Sequence, residues 1–157
     1  MMTPTPKAFP APETLLMHSG DMLLLDHITA FDAECTMATY RPQAQAWYAD
    51  PNGNMPAWMG IELMAQTIAA HVGLLKQQQG LPPKQGVLLG TRRYHAHVPA
   101  FAADTLLEIK ASVAFRDDSG LGAYDCVISN AASVVAEATL KVYEPEDFQS
   151  FLQGNTP

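Results

Sequence analysis

The sequence points to an α+β architecture, with one long helix enclosed by an antiparallel sheet of five to six strands. The helix signal is the run MPAWMGIELMAQTIAAHVGLL at 55–75, apolar on nearly every face. A helix that is apolar all round belongs inside a fold rather than on its surface. The sheet signal is a set of short strand-like runs on either side of it, separated by turn residues. Strands joined in sequence by short turns are antiparallel neighbours. One helix against such a sheet gives the α+β class.

The elements follow in order. MMTPTPKAFPAPET, residues 1–14, is Pro-rich and has no apolar core, so it reads as a disordered lead-in rather than a secretory signal. Residues 15–157 form the single domain, with a short tail. Leu23, Leu25, Ile28 and Ala30 are strand-like, residues 34–40 alternate, and a turn falls near Asp32 and Ala33. Asp50, Pro51, Asn52, Gly53 and Asn54 are loop chemistry. Pro56 stands just ahead of the helix, where its missing N–H costs nothing. The helix runs over 57–78 and stops at Gly80, Pro82 and Pro83. Four strands follow at 86–99, 105–115, 121–130 and 133–143, each joined to the next by a turn. EDFQSFLQ, at 146–153, has the pattern of a short surface helix. Ala65, Ala69, Ala70 and Gly73 are small enough to let the sheet come close to the helix.

Composition excludes several functions. The chain has 157 residues and a net charge of -7. That balance argues against sequence-independent nucleic-acid binding, which needs Lys and Arg to neutralise phosphates, and against docking on anionic membranes. No apolar run reaches the roughly 18 uninterrupted residues of a membrane span. Cys35 and Cys126 form no CxxC pair, which fits two half-buried thiols in a reducing cytoplasm.

The residue that stands out is Glu62, an acid in the most hydrophobic helix. Two environments fit it. As an exposed first-turn residue it is favoured by the helix dipole. Desolvated among Met59, Ile61, Leu63 and Met64, it has its pKa raised and becomes a general acid. Gln66, four residues on, shares its face. His71 lies nine residues on, about 180° round the helix, and reads as a core histidine.

PAWMGIELMAQ resembles the active-site helix of hot-dog-fold 3-hydroxyacyl-(acyl carrier protein) dehydratases, in which a Pro-Gly pair, an acid one turn later and Ala-Gln follow in order. Glu62 matches the acid, Ala65 and Gln66 the Ala-Gln, and Pro56 the Pro, while Ala57 replaces the Gly. LLMHSGDMLLLDHITAFD is similar to the family's opening segment, and RRYHAHVPAFAADTLLEI to a later strand-turn-strand unit. The His-x-Gly-x-Met opening, here His18, Gly20 and Met22, is similar to the branch of predicted dehydratases associated with aryl-polyene-type lipid pathways.

The resemblance implies a hot-dog fold and a dimer, of like or unlike subunits. It implies an acyl carrier protein bearing a phosphopantetheine-linked substrate as partner, and no cofactor. It assigns Glu62 the protonation of the departing hydroxyl. It assigns backbone N–H groups around Ala57, Trp58 and Gly60, together with Gln66, to substrate binding. The family's α-proton base is a histidine in the loop before the helix. None of His18, His27, His71, His95 and His97 lies in 43–56, and Tyr48 stands about where it would fall. His18, just before the first strand, is the substitute base; its other role is a loop hydrogen bond. His27 beside Asp26 is an unsuitable ion pair, since neighbours on a strand face opposite ways. His95 and His97 have metal-ligand spacing but lack an evident third ligand, so no metal site is expected. Lys76, Lys84, Arg92 and Arg93, four of the nine Lys and Arg, could meet an acidic carrier. Two other functions stay open: an acyl thioesterase, and a non-catalytic or weakly active partner of another hot-dog dehydratase.

Overall fold

The computed structural model of the chain describes residues 8–82, 86–131, 133–145 and 153–154. In chain order these form α1 (Pro12–Leu15), a 3-10 turn (Gly20–Met22), β1 (His27–Phe31), β2 (Cys35–Tyr40) and β3 (Met55–Pro56). A second 3-10 turn (Ala57–Met59) leads directly into α2 (Gly60–Gln78). Then come β4 (Val87–Ala96), β5 (Ala100–Phe101), β6 (Leu107–Arg116), β7 (Leu121–Asn130) and β8 (Ser133–Tyr143). Six strands make one antiparallel sheet in the order β1-β2-β6-β7-β8-β4. It wraps α2, the long central helix expected from the sequence. No described helix is long and apolar enough to cross a membrane.

Period-two burial builds the sheet. In β6, Leu107, Ile109 and Ala111 are buried while Glu108 and Lys110 are exposed; in β7, Gly122, Tyr124, Cys126 and Ile128 turn inward. Leu63, Met64, Ile68, Ala70 and Leu74 of α2 fill the space above them. The helix ends where Gly80 turns left-handed (φ +69°), letting Leu81 N–H donate back to the Lys76 carbonyl at 2.9 Å.

Four expectations change. The lead-in drawn through residue 14 enters a helical turn at Pro12, because Leu15 is buried and packs on Gly73 of α2. The strands at 86–99 and 105–115 are not neighbours: β4 pairs with β8 and β6 with β2. Residues 97–106 are a crossing rather than a hairpin turn. In it, β5 pairs with β3, and the Pro99 carbonyl accepts the Ala57 N–H at 3.1 Å, tying the chain to the start of the helix. The small residues of α2 do not all admit the sheet: Gly73 admits Leu15, and Ala65 and Ala69 border an open cavity. Cys126 is fully buried rather than half-buried, which pushes its thiol up to about 12; Cys35 is half-buried, and both are free. The short helix expected at 146–153 falls, but for Gln153, outside the described residues.

His71 is a core histidine, as its place on the helix implied. It is fully buried, 2.8 Å from the Thr36 hydroxyl through Nδ1, with the rings of Phe31 and Tyr124 against it. Burial, aided by the charge of Arg116 and opposed by the Ala33 carbonyl and Asp32, lowers its pKa from 6.5 to about 4. The folded imidazole is therefore neutral. Between pH 6.5 and 4 the unfolded chain takes up a proton that the folded one refuses, so stability falls as pH drops through that window. The melting temperature should decline over this range. His71→Gln, which keeps a polar partner for Thr36, should flatten that decline. An unchanged slope in the variant would assign the effect to other groups.

Candidate functional site

Glu62 sits in the first turn of α2, and His18 comes to it from the segment between α1 and the first 3-10 turn. Two features hold that segment over the helix. Leu15 packs on Gly73, where a side chain would come within 3.1 Å of the Leu15 carbonyl. Gln66 grips the chain further along. Its Oε1 accepts the N–H groups of Leu24 (2.9 Å) and Leu25 (3.4 Å), and its Nε2 donates to the Met22 carbonyl (2.7 Å). The same Nε2 donates to Glu62 Oε1 at 3.0 Å. His18 Nε2 lies 3.1 Å from that oxygen. Both donors converge on Oε1, and among the described residues none reaches Oε2. Glu62 and His18 are each about one-third exposed, with 34% and 33% of their side-chain surfaces open.

Glu62 matches neither environment in full: it is one-third exposed and takes hydrogen bonds from two side chains. Burial does push its pKa up, but the hydrogen bonds from His18 and Gln66 and the charge of His18 pull it down, and the net position is below the ordinary carboxylate value. Hydrogen bonds to the charged form outweigh partial desolvation. Glu62 therefore rests ionised at neutral pH.

The residues expected to bind substrate divide. Gln66 is fully buried and its amide is spent on four bonds, so it positions Glu62 and the 22–25 segment instead of touching a ligand. Ala57 and Gly60 are buried. The Ala57 N–H is used by Pro99, its carbonyl accepts the Tyr94 hydroxyl, and the Gly60 N–H closes the 3-10 turn. A side chain at Gly60 would strike Tyr94. Trp58 is 63% exposed. The Met59 N–H closes the first bond of the 3-10 turn on Pro56, so the Trp58 N–H is the donor left at the helix start among the described residues. Trp58 stands one turn before Glu62, on the same side of the helix.

Tyr48, where the family's histidine would fall, is buried and is not among the residues lining the cavity with Glu62. Its hydroxyl lies 2.5 Å from that of Tyr40 and accepts the Gln43 N–H at 2.9 Å, which braces the loop. Of the five histidines, His18 alone is within hydrogen-bond reach of Glu62. His27 is exposed and Asp26 turns to the Arg41 N–H, so the two do not pair. His95 and His97 are exposed, with ring centroids 4.5 Å apart and His97 3.6 Å from Glu137. Among the described residues no group of three side chains is placed to hold a metal ion. The expected basic patch is broken up: Lys76 turns in to Glu144 at 3.0 Å, Lys84 lies outside the described residues, and Arg92 and Arg93 are exposed on β4.

Helix α2 lies closest to β2 and β6 and makes fewer contacts with β8 and β4. The wedge on the looser side is a cavity of about 290 Å³. His18 and Glu62 stand at one end, Ala65, Ala69 and Val72 line the helix wall, and Arg116, Tyr124 and Glu144 lie on the sheet side. Sequence reasoning missed these last three. Arg116 and Tyr124 sit on different strands and Glu144 just past a third, and only the sheet register brings them together.

The family model described as ApeP dehydratase, ApeP-like, matches residues 10–153. The dehydratase heterocomplex ApeI:P from Xenorhabdus doucetiae superposes with a TM-score of 0.87 at 23% identity, covering 94% of this chain and 99% of that one. The PaaI protein of the phenylacetic acid degradation operon of E. coli superposes at 0.59 with 21% identity, over 74% and 81% of the two chains. A hypothetical thioesterase with coenzyme A from Streptococcus pneumoniae TIGR4 gives 0.60 with 18% identity, over 75% and 84%. No curated protein sequence matches the chain. At these identities the solved structures establish a shared hot-dog architecture. The family model reaches further, since it spans the His18 segment, the Glu62 helix and the whole sheet, and on that ground the chain belongs to the ApeP-like dehydratase family.

Proposed function

We propose that the chain removes water from 3-hydroxyacyl thioesters carried on an acyl carrier protein, in fatty-acid or polyene-type lipid synthesis, with His18 and Glu62 as the proton-transfer pair. The observation that carries this reading is the 3.1 Å approach of His18 Nε2 to Glu62 Oε1 at one end of the cavity along α2. Dehydration needs a base for the α-proton and an acid for the departing hydroxyl. Glu62 is ionised and Oε2 is open, so Glu62 takes the α-proton. His18 gives a proton to the hydroxyl as the C–O bond breaks. The electrons of the C–H bond form the double bond, and water leaves. The proton on Glu62 then crosses to His18, restoring the pair. These roles are the reverse of those the family resemblance implies, and the low pKa of Glu62 is the reason. The N–H of Trp58 suits the thioester carbonyl, where negative charge develops.

A second subunit belongs to this proposal. Strand β4 ends the sheet, its outer edge is unpaired among the described residues, and Leu88 and Leu89 are exposed on it. An edge of ten residues is a surface for strand pairing. It suits another hot-dog subunit, like or unlike, and a solved dehydratase of similar fold is a heterocomplex. Arg92 and Arg93 on the same strand suit an acidic carrier protein.

Purified chain given a 3-hydroxyacyl carrier-protein thioester should yield the enoyl product, read by mass and by ultraviolet absorbance. Release of free thiol in its place would make the chain a thioesterase. Conversion only after another hot-dog subunit is added would make it a partner subunit.

A further inference from the structure

The cavity along α2 changes character from one end to the other. Beyond His18 and Glu62 it is walled by Ala65, Ile68, Ala69 and Val72. Ten residues separate Glu62 from Val72, so this stretch runs roughly 15 Å along the helix. At its far end the wall becomes polar again, with Tyr124, Arg116 and Glu144.

Three strand ends deliver these groups. Arg116 of β6 is opposite Gly122 of β7, and Gly122 is opposite Val142 of β8. Glu144 follows β8 directly, and its N–H donates to the Gly120 carbonyl at 2.9 Å. Gly120 is left-handed (φ +97°), and a side chain there would strike the Glu144 carbonyl, so the turn needs glycine for the strand end to close over the cavity.

Tyr124 is 1% exposed, its ring edge-on to His71, and it lines the cavity. None of the described residues makes a hydrogen bond to its hydroxyl. A buried tyrosine hydroxyl normally has a partner. The Glu144 side chain is 10% exposed; Lys76 meets its Oε1 at 3.0 Å, and Arg116 approaches Oε2 only to 3.9 Å. The far end therefore offers an acceptor in Glu144, whose buried Oε1 is paired in charge with Lys76 but makes no aligned hydrogen bond, and donors in Arg116 and the Tyr124 hydroxyl. A hydroxyl group, which donates one proton and accepts another, fits this set. A methyl group would leave these polar atoms without partners. A phosphate or carboxylate would face the charge of Glu144.

We propose that Tyr124, Arg116 and Glu144 form a terminal-hydroxyl subsite that selects acyl chains ending in a hydroxyl group over those ending in methyl. The proposal rests on the acyl-thioester reading of the cavity.

It is tested by binding rather than turnover. Acyl-pantetheine amides of one chain length, ending in methyl, hydroxyl or carboxylate, are titrated into the full chain by calorimetry. The hydroxyl-ended ligand should bind about tenfold more tightly than the methyl-ended one. Tyr124→Phe, which keeps the ring against His71, and Glu144→Gln should each remove that preference and leave methyl-ended binding within about twofold. Equal affinity in the unmodified chain, tighter binding of the carboxylate-ended ligand, or a preference that survives both substitutions would overturn the subsite alone. Failure of all three ligands to bind would overturn the acyl-thioester reading with it.

Discussion

Glu62→Gln should lower kcat/KM for dehydration by roughly 10²- to 10⁴-fold while leaving the melting temperature almost unchanged. The substitution preserves shape and an acceptor for the Gln66 amide, but the side chain can no longer take a proton. Loss of the base is then a loss of chemistry rather than of fold. The direction of proton flow can be read separately. A carbon-13 titration of the Glu62 carboxyl should give a midpoint below 4.5, since the hydrogen bonds of His18 and Gln66 and the charge of His18 outweigh burial. In His18→Ala, burial is opposed by Gln66 alone and the midpoint should rise. A midpoint above 4.5 in the unmodified protein would return Glu62 to the role of resting acid and His18 to that of base.

Gln66→Leu should cost about 2–4 kcal/mol of stability, because the Leu24 N–H and the Met22 carbonyl lose their partner and each stranded group costs about 1–3 kcal/mol. It should also depress activity beyond what the lost stability explains. The amide fixes one oxygen of Glu62, and the 22–25 stretch it holds continues the segment that carries His18. Gln66→Glu makes a sharper comparison. It keeps an acceptor for the Leu24 N–H but sets a second carboxyl beside Glu62, so one of the two should hold its proton near neutral pH. Chemical unfolding measures the first effect, and the carboxyl titration measures the second. If Gln66→Leu unfolds at the same denaturant concentration as the unmodified protein, the amide is not the tie described here.

Much of this was legible in the sequence, for definable reasons. The central helix announced itself because its apolar pattern is long and punctuated by Pro56 and Gly80. Glu62 and Gln66 were visible as a pair from spacing alone, and His18 as the histidine with a route to the helix. The position of β4 was not legible. Local turn chemistry suggests a hairpin at 100–104, whereas the crossing depends on β3 and β5, two residues each and too short for any period to show. The charge state of Glu62 was hidden as well. Apolar neighbours in sequence signal desolvation, but the donors that reverse it come from 44 positions upstream and from the far end of an amide. Tyr124, Arg116 and Glu144 carry no motif and meet only through strand register.

The strand order also has a consequence for how the chain is made. Helix α2 leaves the ribosome before every strand that covers it except β1 and β2, and β2 must wait for β6 to gain its second neighbour. The 65 residues from Gln78 to Tyr143 take about 3–13 s to synthesise at roughly 5–20 residues per second. Through that interval Leu63, Met64, Ile68 and Leu74 have no finished sheet to bury them. The nascent chain therefore carries an uncovered apolar helix at the stage when translation has passed its middle.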